Sequence, residues 1–157
     1  MVLQEGIQAW RGLVGLLEET WENGFAVSEH LGLCSAVKAE VRAVLQGLQL
    51  AKEAGTHKLW VQIDSQAVVS MLTTRRPCHP EYTGLVQQCK QHLNWEGWEV
   101  KISHCFRETN QVADRLANMG IEDSLGVKTY HAPPMETGEL LYADGMGVSW
   151  PRRLNLK

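Results

Sequence analysis

The sequence lacks the features that mark several classes of protein. No apolar run approaches the roughly 18 to 20 residues of a membrane-spanning helix. The acid in the opening MVLQEG and the short apolar run 12–17 do not resemble a signal peptide. The four cysteines form no Cys-x-x-Cys pair, and a net charge of −3 excludes a polycation that holds nucleic acid by charge alone. These absences predict an intracellular protein with reduced cysteines and no membrane segment.

The apolar spacing predicts one domain of alternating strands and helices. A hairpin is predicted from runs 12–17 and 24–31, with a turn at Asn23-Gly24. Further strands are predicted over 58–63 and 98–105, and helices over 35–54, 66–73, 80–93 and 109–119. After residue 125 the periodicity fades, which predicts an irregular tail over 125–157. This order of elements is typical of an α/β sheet flanked by helices.

The acid Glu40 is predicted to lie on the buried side of the helix over 35–54. At about 100° per residue it points away from the charged and amide side chains of that helix. No basic residue lies three or four positions from it. Burying a lone carboxylate is costly, so a metal ion or another partner is expected beside Glu40. A position at the rim, in contact with water or with an arginine from elsewhere, is the alternative.

Two further acids lie at the ends of predicted elements. Asp64 follows the strand over 58–63, and ligands bind at the carboxyl ends of strands in open α/β sheets. Capping of the next helix is the alternative role for Asp64. Asp114 lies in the first turns of the helix over 109–119, where the helix dipole alone stabilises an acid. The three acids define a site only if the fold brings them together.

The segments around these acids resemble type 1 ribonuclease H domains of plants, many of them derived from non-LTR retrotransposons. The resemblance rests on GLCSAVKAEVRAVLQGLQLAKEAG, LWVQIDSQAVVSML and ISHCFRETNQVADRLANMG, which follow one another as in that family. It runs over about 12–119, and the tail segments GVKTYHAPP and GVSWPRR are also similar to the family. It implies a ribonuclease H-like α/β fold, with a mixed sheet flanked by helices, over residues 1–124.

The resemblance also implies a site and a reaction. By position, Glu40, Asp64 and Asp114 match the family's catalytic acids, which hold two magnesium or manganese ions. Two such ions activate the attacking water and stabilise the leaving oxygen of a phosphodiester. Asn110, one turn before Asp114, is expected to cap the last helix and to steady the substrate, and capping alone explains it equally well. The implied activity is endonucleolytic cleavage of the RNA strand in an RNA/DNA hybrid, by a monomer.

One acid that the resemblance implies is absent. The family carries an Asp-Gly-Ala motif on its first, central strand, and that Asp bridges both metal ions. The residues before position 12 offer only Glu5-Gly6. We therefore expect the first strand to be missing or replaced, with Glu5 as an alternative ligand, and cleavage to be impaired. The rival functions are an inactive nucleic-acid-binding module and a truncated retrotransposon relic that acts through protein contacts.

Overall fold

The chain forms alternating strands and helices in the residues that the structure describes. This computed structural model describes the backbone of 5–10, 26–55, 57–106, 111–122, 126–130 and 132–146, with most side chains from Cys34 onward. The strands are β1 (Glu5–Trp10), β2 (Ala26–Leu33), β3 (Lys58–Ile63), β4 (Glu99–His104) and β5 (Gly126–Tyr130). The helices are α1 (Ala36–Glu53), α2 (Gln66–Thr73), α3 (Pro80–Leu93), α4 (Gln111–Glu122) and α5 (Gly138–Gly145), with a 3-10 turn at Met135–Thr137.

The strands form two ladders of different direction. One ladder is antiparallel with the order β1-β2-β5, and the other is the parallel pair β3-β4. Both strand directions occur, as predicted, but in the described residues they lie in two separate ladders and not in one mixed sheet. Within the described residues no ladder joins β1 to β3, so β1 lies at an edge of its ladder. The register of β1 against β2 shifts between Glu5 and Ile7.

Local capping explains why the central helices begin and end where they do. Lys38 N–H donates to Ser35 Oγ at 3.3 Å, which caps α1. Gly55 follows the end of α1 with φ of 73°, a conformation that glycine adopts without strain. Pro80 stands in the first turn of α3, where its missing N–H costs no helical hydrogen bond. The observed bounds of α1, α3 and β3 match the elements predicted over 35–54, 80–93 and 58–63, and these predictions are confirmed.

The main core lies between α1, α2, α3 and one face of the β3-β4 pair. Along β3, buried Leu59, Val61 and Ile63 alternate with exposed residues, as expected for a strand covered on one face. They pack against the apolar side of α1, which includes Val44 and Leu48. The other face of this strand pair is exposed at Trp60 and Lys101. In the part of the chain described, no helix is both long and apolar enough to cross a membrane.

Residues 126–130 and 132–146 differ from the prediction of an irregular tail over 125–157. They form β5, which pairs with β2 over five residue pairs, and then α5. Leu140 and Leu141 pack against Val112 and Leu116 of α4 in a second apolar cluster. These partners are distant in sequence, so local periodicity does not reveal them. The predicted strand over 12–17 lies outside the described residues.

Cys89 is expected to resist alkylation in the native protein. It is fully buried in α3, and its thiol donates to the Val41 carbonyl at 3.6 Å. Burial raises the pKa of this thiol to about 12, and the thiolate is the reactive form. Iodoacetamide should therefore modify Cys89 only after unfolding, as read by peptide mass spectrometry. The half-buried Cys34 and Cys78 are the internal comparison, and labelling of Cys89 at their rate in the native state would contradict this expectation.

Candidate functional site

Asp64 lies at the carboxyl end of β3, and the structure assigns the capping role to its neighbour. Val68 N–H donates to Ser65 Oγ at 3.4 Å, so Ser65 is the N-cap of α2. Asp64 is partly exposed and immediately follows the last strand residue, Ile63. The alternative in which Asp64 caps this helix is therefore wrong. Asp64 therefore lies at the carboxyl end of the parallel pair, the end at which open α/β sheets bind ligands.

The chain that leaves β4 runs directly beside Asp64. Ile63 pairs with His104 in the ladder, and Cys105 N–H donates to the Ile63 carbonyl at 3.0 Å. His104 contacts Phe106 edge to face, with ring centroids 5.5 Å apart, and both residues are exposed. The backbone pairing therefore brings the residues that follow β3 and β4, including Asp64 and the His104–Phe106 pair, to the same end of the β3-β4 pair.

Glu40 stands in the second turn of α1, between buried Ala39 and Val41. The residue as a whole is partly exposed, but its Oε2 atom is buried. The prediction that Glu40 points toward the buried side is confirmed for this oxygen. Further along the helix, Val44 and Leu48 belong to the core cluster that contains β3. The helix that carries Glu40 is therefore fixed against the strand that ends at Asp64.

Asp114 occupies the first turn of α4 and is partly exposed. Its neighbours Val112, Ala113 and Leu116 are buried, which fixes the orientation of the helix. α4 packs mainly against β1 and β2, the antiparallel ladder. Asp114 is therefore anchored to a different group of strands from Asp64. Asn110 lies outside the described residues.

The acids have suitable chemistry for a divalent metal, but they do not enclose one. Carboxylate oxygens are the ligands that Mg²⁺ prefers. Among the described side chains, no three His, Cys, Asp or Glu residues are grouped closely enough to hold a metal ion together. The described side chains therefore do not form a complete protein cage for a metal. A metal role for Glu40, Asp64 and Asp114 remains a proposal.

The fold is that of ribonuclease H. The chain is similar in structure to RNase H1 from the halophilic archaeon Halobacterium salinarum, with a TM-score of 0.57 and 21% identity over 75% of this chain and 96% of that one. It is also similar to the N-terminal RNase H domain of a Mycobacterium tuberculosis protein, with a TM-score of 0.52 and 22% identity over 74% and 91% of the two chains. At these identities the likeness defines the fold alone, a ribonuclease H-like α/β fold.

The family follows from the sequence comparisons. A family model described as reverse transcriptase-like matches residues 18–120, and the chain belongs to this family. An Arabidopsis thaliana protein, provisionally named a ribonuclease H protein, is 32% identical over 151 residues, or 96% of this chain. The chain spans 24% of the length of that relative. The resemblance to plant ribonuclease H-like domains is thereby confirmed.

Proposed function

We propose that this chain is a ribonuclease H-like domain that binds RNA/DNA hybrid at the carboxyl ends of β3 and β4 and cleaves it poorly. The observation that carries the proposal is the position of Asp64, which is not the helix cap and lies beside the chain leaving β4. The ribonuclease H names of the similar proteins support hybrid as the ligand. An intracellular monomer belongs to the same proposal, which is supported by four cysteines scattered along the sequence without a Cys-x-x-Cys pair.

The proposal includes magnesium or manganese at the three acids. Glu40, with one buried oxygen, and Asp64 belong to elements that share one core, and Asp114 would complete the set. Magnesium is often held by one or two carboxylates together with substrate phosphates, without a full protein cage. An incomplete set of protein ligands is therefore compatible with metal bound jointly with the hybrid. Asn110 is proposed to steady the substrate.

Joint binding predicts that magnesium and hybrid stabilise the protein together. A ligand that binds only the folded state raises the free energy of unfolding, by about 1.4 kcal/mol at tenfold its Kd. For a chain of this size that corresponds to a rise in Tm of about 3 °C or more. The measurement is thermal unfolding with magnesium, with hybrid, with both, and with EDTA. The largest rise is expected with both ligands present.

Substitutions at two acids separate specific binding from general screening by salt. Asp64→Asn keeps the shape of the side chain but removes its charge, so it should abolish the extra rise caused by magnesium. Glu53→Gln is the matched control, because Glu53 is an exposed acid at the far end of α1. Equal magnesium effects in Asp64→Asn and the wild type would exclude Asp64 as a ligand and remove the main support for the proposed site.

A binding module without nuclease activity is the second candidate function. It is favoured by the lack, within the described residues, of a three-residue group that could hold a metal. Hybrid recognition relies on many contacts to phosphates and sugars, whereas cleavage depends on the geometry of a few groups. Hybrid binding that is unchanged by EDTA and by Asp64→Asn, with no cleavage, would select this second function.

A further inference from the structure

A tryptophan is exposed on the face of the β3-β4 pair that points away from the core. Trp60 is 50% exposed, although the neighbouring Leu59 and Val61 are buried on the opposite face. The parallel register sets each outward residue of β3 beside an outward residue of β4. We call this surface the Trp60 face; it consists of Lys58, Trp60, Gln62, Glu99, Lys101 and Ser103.

Two contacts hold the Trp60 ring in a defined orientation. The indole N–H donates to Ser103 Oγ at 2.7 Å, which satisfies the only polar group of the ring. The Lys101 ammonium lies 4.4 Å from the ring centroid, within the range of a cation–π contact. The Lys101 ammonium therefore covers part of one face of the ring, and the exposed remainder of the ring is a flat apolar surface next to this charge.

The charges of the Trp60 face favour an anionic ligand. Lys58 Nζ and Glu99 Oε2 form an exposed ion pair at 3.1 Å, so their charges offset each other. Lys101 then leaves this face with a net charge of about +1, in a chain whose total is −3. Charge alone would attract any anion only weakly at physiological salt. Because an aromatic ring lies next to this charge, the surface best fits a ligand that is an anion and also carries a flat π system.

The surface is open and lies apart from the acids. Side chains and backbone of the first three residue pairs of the two strands line a shallow groove of about 290 Å³. At about 3.3 Å per strand residue, Trp60 stands about 13 Å along β3 from Asp64. A ligand on the Trp60 face therefore occupies a location different from the site proposed at the carboxyl ends of the strands.

We propose that the Trp60 face binds single-stranded nucleic acid, with one base stacked on Trp60 and a neighbouring phosphate paired with Lys101. Every unpaired base offers a π face, and stacking on an exposed aromatic ring is largely independent of sequence. Bases inside a duplex are already stacked and do not offer that face. The inference rests on the proposed function, since it adds a single-strand subsite to a nucleic-acid-binding domain. A protein partner would need a larger apolar centre than one tryptophan.

Substitution of Trp60 tests the stacking. For a labelled twelve-nucleotide oligo(dT) measured by fluorescence anisotropy, Trp60→Ala should raise Kd by about fivefold to a hundredfold. Trp60→Phe should retain part of the affinity, because it keeps a smaller aromatic face. Trp95→Ala is the matched control: Trp95 is 42% exposed and also carries a lysine, Lys52, over its ring. It lies in the turn between α3 and β4, and the substitution should leave Kd unchanged.

Substitution of Lys101 tests the phosphate contact separately. Each phosphate contact to a single strand contributes about 0.7 to the slope of log Kd against log salt. Lys101→Gln should therefore reduce that slope by about 0.7, whereas Lys52→Gln should not change it. Circular dichroism melting of each variant verifies that the fold is retained.

The outcomes distinguish this inference from the proposed function. Absent oligo(dT) binding in the wild type, or equal affinity in Trp60→Ala, overturns the single-strand subsite, even if hybrid binding still depends on Asp64. Binding of oligo(dT) that depends on Trp60, without hybrid binding, upholds the subsite and refutes the proposed function. A polyglutamate peptide that binds as tightly as oligo(dT), and equally depends on Trp60, would show a protein-docking surface and also overturn the inference.

Discussion

The chain is expected to cut the RNA strand of an RNA/DNA hybrid slowly or not at all, and to become active when a family-like first strand carrying Asp-Gly is supplied. The gain should be at least about a hundredfold, because small errors in the placement of reacting groups cost rates of that order. The measurement is cleavage of an end-labelled hybrid in magnesium, with single-stranded RNA and duplex DNA as controls.

The structure supplies the physical reason for this expectation. The acid that bridges both metals in the family belongs to a central strand, whereas β1 lies at the edge of the antiparallel ladder. Within the described backbone, no hydrogen-bonded ladder fixes β1 beside β3, the strand that ends at Asp64. Nothing in these ladders therefore sets the distance between Glu5 and Asp64. A ligand that bridges two metals must be held to within a fraction of an ångström.

If the wild-type chain cleaves the hybrid strongly, two variants show which part of the assignment of the catalytic acids is wrong. Strong hybrid-specific cleavage that disappears in Glu5→Gln would show that Glu5 has taken the role of the missing acid. Strong cleavage that persists in Asp64→Asn would refute the assignment of the catalytic acids as a whole. In the version with the added strand, Asp64→Asn should abolish the gained activity, and Glu53→Gln should not.

Much of the fold is predictable from the sequence because its signals are local. The serine before α1, the proline in α3 and the alternation within β3 each act over a few residues, and the predicted elements agree with the structure. The strand β5 is different, because its stability depends on pairing with β2, about a hundred residues earlier in the chain. In its sequence, GVKTY, apolar and polar residues do not alternate, so no pattern marks it as a strand.

The candidate site was predictable in its residues but not in its geometry. Asp64 and Ser65 are both good helix caps, so the sequence could not decide between them, and the hydrogen bond to Ser65 does. The helical period did predict that Glu40 faces inward. It could not show that Asp114 would be anchored to the other ladder, since that depends on how α4 packs. The alternation in β3 also places Trp60 outward, a signal that was available in the sequence.

Truncation after residue 124 is expected to unfold the protein or to make it aggregate. It removes β5 and so leaves five residues of β2, Ala26–His30, without the ladder partners on the side away from β1. It also removes Tyr130, Leu140 and Leu141, which pack against the cluster that contains the fully buried Leu116. Each lost hydrogen bond contributes about 0.5–1.5 kcal/mol net, and an exposed strand edge promotes association. The combined loss is a large part of the roughly 5–15 kcal/mol that stabilises a domain.

Urea unfolding and size-exclusion chromatography of two truncated chains measure this loss. The control chain ends after Met146. It keeps all the contacts described for β5, Leu140 and Leu141. It should therefore unfold at the same urea concentration as the full chain. The chain that ends at residue 124 should show a much lower midpoint, no cooperative transition, or elution as an aggregate. If it instead matches the full chain in midpoint and slope, residues 1–124 form a complete domain. The predicted boundary would then be right, and the contacts of β5 and α5 would contribute little to stability.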